Sequence, residues 1–448
     1  MTDHGASAPR GGAPGRGTYY LRTFGCQMNE HDSERIRAVL EAEGLRRVPT
    51  PDEAAVLVYN TCTVRQSADE RLAGHLGTAA RLKRDDPARL VVVTGCLPQA
   101  EQAAFFARFP FVDVALGPQS LDHLSEALRG DRVEPRGFFA DEPLLSGRLP
   151  GRRERPFQAW LQVMAGCTNF CSYCIVPFVR GPERSRPLPE LVAEARALVA
   201  DGVLELTLLG QNVNAYGVDL AHGGDGPTFA GLLTALDDIE GLARQRFMTS
   251  HPKDLSDELI AAIAGLPTVC EHVHLPAQSG SDRVLAAMNR GYTRAGYLER
   301  VGALRAAVPD VALTTDLIAG FPGESDDDFE QTLSLVGEAQ FDGAFTFVYS
   351  PRPGTAAAAL PEQVPEEVRR ARVERLVEET QAQARARRQR LVGRTVEVLV
   401  EGRSRHGQTL RGRTRQHVTV NFTGRAQPGE LVAVTVTGAT STTLSGHT

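Results

Sequence analysis

Apolar runs of strand length alternate with helix-length stretches along most of the chain. Tyr19 to Phe24, Ala55 to Tyr59 and Leu90 to Val93 read as short buried strands, while Glu30 to Gly44 and Val64 to Lys83 carry helical periodicity. Strand–helix–strand alternation predicts a small parallel α/β domain over residues 18–133. A Pro-, Gly- and Arg-rich linker, 134–152, follows it. From 153 to 386 the alternation resumes on a larger scale. Candidate strands are Trp160–Met164, Glu205–Leu209, Gln245–Thr249, Glu271–Leu275, Ala312–Leu317 and Ala344–Tyr349, each followed by a helical stretch. Six such units are too few for an eight-stranded barrel, so an open partial (β/α)6 TIM-like barrel is expected, with its chemistry at the C-terminal strand ends. Pro365 to Arg390 reads as one long charged helix leading away from the barrel. Thr395–Val400, Gln408–Arg413, Val418–Phe422 and Val432–Thr437 then alternate at period two between Gly-containing turns. That pattern predicts a small β-barrel over 387–448.

Composition changes this picture little. The 448 residues are 42% hydrophobic and 23% charged, as in ordinary globular proteins. A net charge of −6 excludes a uniformly basic nucleic-acid binder but not a local basic patch. No apolar run approaches a membrane span. Residues 1–17 lack an apolar core and read as a disordered tail, not a signal peptide. Seven cysteines without an export signal favour reduced thiols, so the expected setting is cytoplasmic.

Chemistry enters with Gly166-Cys167-Thr168-Asn169-Phe170-Cys171-Ser172-Tyr173-Cys174, directly after the first barrel strand. Three thiolates this close can hold three corners of a metal cluster. The competing reading is a zinc knuckle short of one ligand. Structural zinc takes four Cys or His ligands, and no His lies between His123 and His222. Cys26, Cys62 and Cys96 form a second, scattered set. Each follows a predicted parallel strand, and parallel strands bring their C-terminal ends to one edge, so the three would converge. Taken singly, each could be an ordinary core cysteine, as Cys270 is expected to be.

The Cys-x3-Cys-x2-Cys spacing with Tyr173 before the last cysteine resembles the radical S-adenosylmethionine (SAM) superfamily. The resemblance implies a [4Fe–4S] cluster on Cys167, Cys171 and Cys174. Its open iron takes SAM, whose reduction yields a 5′-deoxyadenosyl radical. Other strand-end residues fit such a cofactor pocket: Gly210, Gln211 and Asn212 after the second strand, Gln278 and Ser279 after the fourth, and Asp316 on the fifth. Each could equally just make a turn. No catalytic residue is identified beyond the cluster ligands.

Two triads, one per α/β domain, plus a C-terminal β-barrel, resemble the methylthiotransferase family, whose barrel is similar to the RNA-binding TRAM domain. This implies a second [4Fe–4S] cluster on Cys26, Cys62 and Cys96 that delivers sulfur, and SAM as both radical source and methyl donor. Eleven Arg against two Glu from Arg385 to Arg425 fit a phosphate backbone, although an Arg-rich solvated surface would look the same. Within the family, Thr23-Phe24-Gly25-Cys26-Gln27-Met28-Asn29, Gly210 to Tyr216 and Thr249-Ser250-His251-Pro252 look like the isopentenyladenosine branch. That branch implies conversion of N6-(dimethylallyl)adenosine to its 2-methylthio derivative at position 37 of tRNAs reading codons that begin with U. The alternatives are the same chemistry on N6-threonylcarbamoyladenosine in tRNA or on a ribosomal-protein aspartate. Implied partners are a tRNA anticodon stem-loop, an electron donor such as flavodoxin or ferredoxin, and a sulfur source. No membrane is involved, and the chain is expected to act as a monomer.

Overall fold

Strands β1 (Thr18–Thr23), β2 (Arg46–Arg47), β3 (Val56–Thr61), β4 (Leu90–Gly95), β5 (Val114–Leu116) and β6 (Arg136–Phe138) form one parallel sheet, ordered β2-β1-β3-β4-β5-β6. The computed structural model describes residues 17–63, 66–129, 135–140, 153–221, 226–404 and 407–448. The expected tail, apart from Gly17, and most of the expected linker lie outside these residues. The chain divides into two compact units: Met1–Arg152 with Phe178–Arg180, and Arg153–Pro177 with Gly181–Thr448.

In the first unit every residue of β3 and β4 is buried. Leu57, Tyr59, Val91 and Val93 pack against Leu72 and Leu76 of helix Gln66–Asp85. Val56, Val58, Leu90 and Val92 pack against Ile36, Val39 and Leu40 of helix Gln27–Ala42. Both faces of the sheet are therefore covered, which is why these strands read as unbroken apolar runs and not as alternation. The sequence pattern missed β2, β5 and β6, which at two or three residues are too short to show a period. Strand β6 lies within the stretch expected to be linker.

The second unit begins with β7 (Gln158–Gln162), β8 (Met164–Ala165), β9 (Arg184–Ser185), β10 (Glu205–Leu209), β11 (Arg244–Phe247), β12 (His272–His274), β13 (Ala312–Ala319) and β14 (Gly343–Val348). Parallel sheets β7-β10-β11 and β12-β13-β14 meet at a bridge between Gln245 and Val269, so six strands follow one another in chain order. This is the expected partial barrel. The antiparallel pair β8–β9 closes the base of the loop that carries Cys167, Cys171 and Cys174.

Helix Glu366–Gln389 does not lead away from the barrel. Its buried residues Arg372, Leu376, Thr380 and Ala384 recur every four positions and lie along the barrel's last strands. Arg372 is held by Glu324 at 2.6 Å and Asp326 at 2.7 Å, and Arg387 by Asp342 at 2.6 Å. A stripe one residue wide on a helix otherwise dense in charge leaves little trace in the apolar pattern.

Beyond it, β15 (Thr395–Arg403), β16 (Leu410–Thr414), β17 (Thr419–Thr423), β18 (Leu431–Ala439) and β19 (Thr443–His447) close a barrel in the order β15-β16-β17-β19-β18. Val398, Val400, Val420, Phe422, Val434, Val436 and Leu444 fill it. Strand β19 was missed, since Thr-Leu-Ser-Gly-His offers a single large apolar residue.

This barrel is bound to the N-terminal ends of the (β/α) strands through charge. Alternate residues Arg244 and Arg246 of β11 share Glu205 of β10, the latter at 2.8 Å. Arg246 also donates to the carbonyls of Thr414 (2.7 Å) and Arg415 (2.6 Å), and Arg244 to that of Arg413 (3.0 Å). Arg415 returns to Glu271 at 2.8 Å, and His417 stacks on His272 at 5.2 Å.

Candidate metal centres

Because β1, β3 and β4 are parallel neighbours, the chain positions that follow them share one sheet edge. Cys26 lies three residues past β1 at the N-terminus of helix Gln27–Ala42. Cys62 directly follows β3, and Cys96 directly follows β4. None of the three is in a disulfide. Two glycines let the edge close this tightly. A Cβ on Gly25 (φ +134°) would lie 2.5 Å from Cys62 Cβ, and one on Gly95 (φ +103°) 2.2 Å from the Thr61 carbonyl.

Beneath the thiols, buried amides fix the backbone. Asn29 Nδ2 donates to Asn60 Oδ1 and to the Thr61 carbonyl, both at 3.1 Å, and Asn60 Nδ2 returns to the Asn29 carbonyl at 2.8 Å. Asn29 Oδ1 accepts from the Cys26 amide at 3.2 Å and lies 3.4 Å from Cys26 Sγ. A hydrogen bond from Cys62 holds the Cys26 thiol below its ordinary value against burial, with the Arg180 guanidinium assisting. Burial raises Cys96, while Arg180 pulls it down. These thiols meet each other and a fixed positive charge, which suits thiolate ligands of a charged cluster.

In the second unit, Cys167, Cys171 and Cys174 occupy the loop between β8 and β9. Burial pushes Cys167 up to about 11 and Cys174 up to about 12, and the neighbouring thiols add to both rises. Ionising such a set demands cationic charge at its centre, which an iron–sulfur cube supplies. Among the described residues, no group of three His, Cys, Asp or Glu converges as the ligands of a single metal ion do.

Arg290, only 5% exposed, reaches this loop from outside the motif. Its Nη1 lies 3.2 Å from Cys171 Sγ and 3.5 Å from the Tyr173 hydroxyl. Its Nη2 donates to the Pro276 carbonyl at 3.2 Å, and its Nε to the Tyr292 hydroxyl at 3.1 Å. Sequence reading missed Arg290 because 116 residues separate it from Cys174.

The strand-end residues fall into two groups. Tyr173 packs beside Met288, Ile318 and Phe321. Gly210 sits where a Cβ would come within 2.6 Å of Met164 Cγ, and its carbonyl accepts from Thr249 Oγ1 at 2.6 Å. Gln211 follows at the same strand end, while Asn212 donates to Asp254 at 2.8 Å. Gln278 takes a left-handed backbone (φ +66°) and bridges β13 through the Asp316 carbonyl and the Ile318 amide. Ser279 faces Thr332 at 3.3 Å. Asp316 instead shares its sheet face with His274 (3.5 Å), and Phe345, 49% exposed, meets His274 edge-on at 5.9 Å. Ser279 and the Asn212 amide nitrogen are thus committed to the protein's own bonds, while Asn212 Oδ1 is buried without a partner among the described residues, and Asp316, His274 and Phe345 cluster on neighbouring strands. The segments Gly210–Tyr216 and Thr249–Pro252 are also joined: Asn214 exchanges two hydrogen bonds, at 2.8 and 2.9 Å, with the His251 backbone.

The basic region is less free than its composition suggests. Arg394 pairs with Asp310, Arg411 and Arg413 with Glu401, and Arg415 with Glu271.

Residues 18–117 match the family described as Uncharacterized protein family UPF0004, 161–336 the Radical SAM superfamily, and 389–448 the TRAM domain. The chain is 46% identical to a tRNA-2-methylthio-N(6)-dimethylallyladenosine synthase of Moorella thermoacetica, over 96% of this chain and 98% of that protein. It is 47% identical to one of Acidothermus cellulolyticus, over 96% and 88%, and 46% identical to one of Caldicellulosiruptor saccharolyticus, over 90% and 86%. Among solved structures, a radical S-adenosylmethionine methyltransferase of Kitasatospora setae, TsrM, superposes with a TM-score of 0.57. It is 15% identical and covers 76% of this chain and 77% of that one, a likeness of fold alone.

Proposed function

The chain belongs to the family of tRNA-2-methylthio-N6-dimethylallyladenosine synthases, and from that premise we propose that Cys26, Cys62 and Cys96 hold the sulfur-donating cluster and Cys167, Cys171 and Cys174 the SAM-cleaving one. The enzyme is a radical SAM transferase that converts N6-(dimethylallyl)adenosine in tRNA to its 2-methylthio derivative. When bound, the two [4Fe–4S] clusters and SAM supply radical hydrogen abstraction, sulfur and a methyl group. The single observation behind the assignment is that each α/β unit places three cysteines outside any disulfide, and no fourth, at or beyond the C-terminal ends of its parallel strands.

The chain's own residues bind, shield and orient. Burial of Cys62, Cys96 and Cys171 keeps water from the ligands. Tyr173, Asp316, Gln278 and the backbone of Gly210 and Gln211 are the proposed SAM contacts, while Asn212 and Ser279 hold the loops that carry them. Arg290 orients the Cys171 thiolate. Its replacement by Gln should lower 5′-deoxyadenosine formation about 10- to 100-fold, the usual cost of losing an outer partner of a metal ligand. Single-turnover assays with excess dithionite test this; a rate within twofold of wild type would remove Arg290 from the site.

The target is placed at position 37 of tRNAs reading codons that begin with U, with a flavodoxin- or ferredoxin-like donor and a monomer acting in the cytoplasm. Among the described residues no helix is long and apolar enough to cross a membrane. Mass spectrometry of tRNA nucleosides from a deletion strain tests the substrate. Accumulated N6-(dimethylallyl)adenosine with its 2-methylthio form absent is expected. Loss of a threonylcarbamoyladenosine derivative, or of a ribosomal-protein modification instead, would reassign the branch.

A further inference from the structure

The loop after β11 carries polar groups that the fold leaves unanswered. Thr249, although β-branched, takes a left-handed backbone (φ +66°), and its Oγ1 donates to the Gly210 carbonyl at 2.6 Å. Such a conformation is costly and gathers at ligand sites, where the surroundings impose it. Beside it, Ser250 Oγ, Gln211 Oε1 and Asn212 Oδ1 are buried with no hydrogen-bond partner among the described residues. A buried polar atom left unpaired is costly, and a bound ligand removes that cost. These residues follow the neighbouring parallel strands β10 and β11, so they share one strand-end edge.

His251, 5% exposed, comes next in the chain. Asn214 fixes its backbone amide and carbonyl, and its ring meets Tyr292 edge-on at 5.6 Å. Tyr292 is bonded to Arg290 and Arg290 to Cys171, so only two residues separate the imidazole from the SAM-cleaving triad. The ring's Nδ1 accepts from the Lys253 amide at 3.3 Å. The hydrogen of the neutral ring therefore sits on Nε2, where no group accepts it among the described residues. Burial, with the charges of Arg290 and Lys253, pushes the ring's pKa down to about 2, so it stays neutral. Arg290 is committed to Cys171, Tyr173, Pro276 and Tyr292, and Lys253 to Asp254 at 2.9 Å. Neither cation is left to answer an anion, so the acceptor that suits this donor is uncharged.

We propose that His251 reads the substrate base, donating its Nε2 hydrogen to one of the two ring nitrogens that flank C2 of adenine, the carbon that takes up sulfur. This deepens the function given above and rests on it. Both nitrogens are uncharged acceptors, the match for a neutral donor. A bond to either one holds C2 through its immediate neighbour, which is the positioning that a reaction at that carbon requires.

The test uses the full chain with its clusters reconstituted, and an anticodon stem-loop RNA carrying N6-(dimethylallyl)adenosine or its 1-deaza or 3-deaza counterpart. His251→Asn keeps an oxygen for the Lys253 amide but withdraws the Nε2 donor. On the parent RNA it should lower kcat/KM for methylthiolation about 10- to 100-fold. One deaza RNA should cost the wild-type chain about tenfold or more beyond what it costs His251→Asn. The bond is already gone from the variant, and any intrinsic effect of the missing nitrogen is common to both chains. Equal losses in both chains on both analogues would overturn the proposal. So would a SAM affinity weakened more than about twofold in His251→Asn without RNA, because the donor would then serve the cofactor. A wild-type chain that leaves the parent RNA unconverted would instead overturn the function on which the proposal rests.

Discussion

Replacing Cys62 with alanine should abolish methylthiolation while leaving reductive cleavage of SAM within about twofold of wild type. Iron per chain should fall from about eight to about four, the content of one cube. The expected loss is complete because Cys62 belongs to a three-ligand site with no fourth cysteine beside it. Cys270, the one cysteine outside both triads, lies in the second unit. Cleavage should survive because the ligands proposed for it, Cys167, Cys171 and Cys174, all lie in that second unit. The substitution removes one small buried sulfur, and core truncations of this size cost about 1 kcal/mol, too little to unfold a domain. Cys270→Ala is the matched control: it is equally buried and should leave both iron content and product unchanged. Loss of both activities in a folded Cys62→Ala protein would contradict the division of labour between the triads.

Both triads were legible in the sequence, for different reasons. Cys167, Cys171 and Cys174 announce themselves by spacing. Cys26, Cys62 and Cys96 become visible only once the runs before them are read as parallel strands, because topology and not spacing brings them together. What stayed hidden was whatever another element contributes. Arg290 reaches Cys171 from far along the chain, and Arg180 sits so near the compact motif that proximity alone would assign it there. Phe345 gave no signal either, since an aromatic residue on a strand reads as ordinary alternation. The arginine count near the C-terminus pointed to the RNA partner but overstated the charge on offer. Composition cannot distinguish a guanidinium offered to RNA from one tied to Glu401 or Glu271, and several are tied.

The network beneath the (β/α) strands predicts the largest stability effect. Arg246→Ala should destabilise the second unit by about 3–5 kcal/mol, read as a lower urea midpoint of the cluster-free chain. Arg246 and Glu205 are each only 3% exposed, and all three guanidinium nitrogens of Arg246 are engaged, one by Glu205 and two by carbonyls at the β16–β17 turn. Truncation therefore takes from a buried carboxylate the closer of its two guanidiniums, leaving Arg244 at 3.6 Å and Gln158, and deprives two carbonyls of their donor at once. Burial alone would raise Glu205; Arg246 and Arg244 outweigh it and hold the carboxyl below its ordinary value. A depressed carboxylate stabilises the fold above its unfolded pKa and loses that contribution as pH falls through the folded one. The gap between wild type and Arg246→Ala should therefore narrow below about pH 4. The double variant Glu205→Gln with Arg246→Met should recover much of the loss, since it removes charge as well as partner. Removing the exposed pair Arg300–Asp257 should cost no more than about 1 kcal/mol. If Arg246→Ala proved as mild as that surface change, the C-terminal barrel would not be charge-locked to the core.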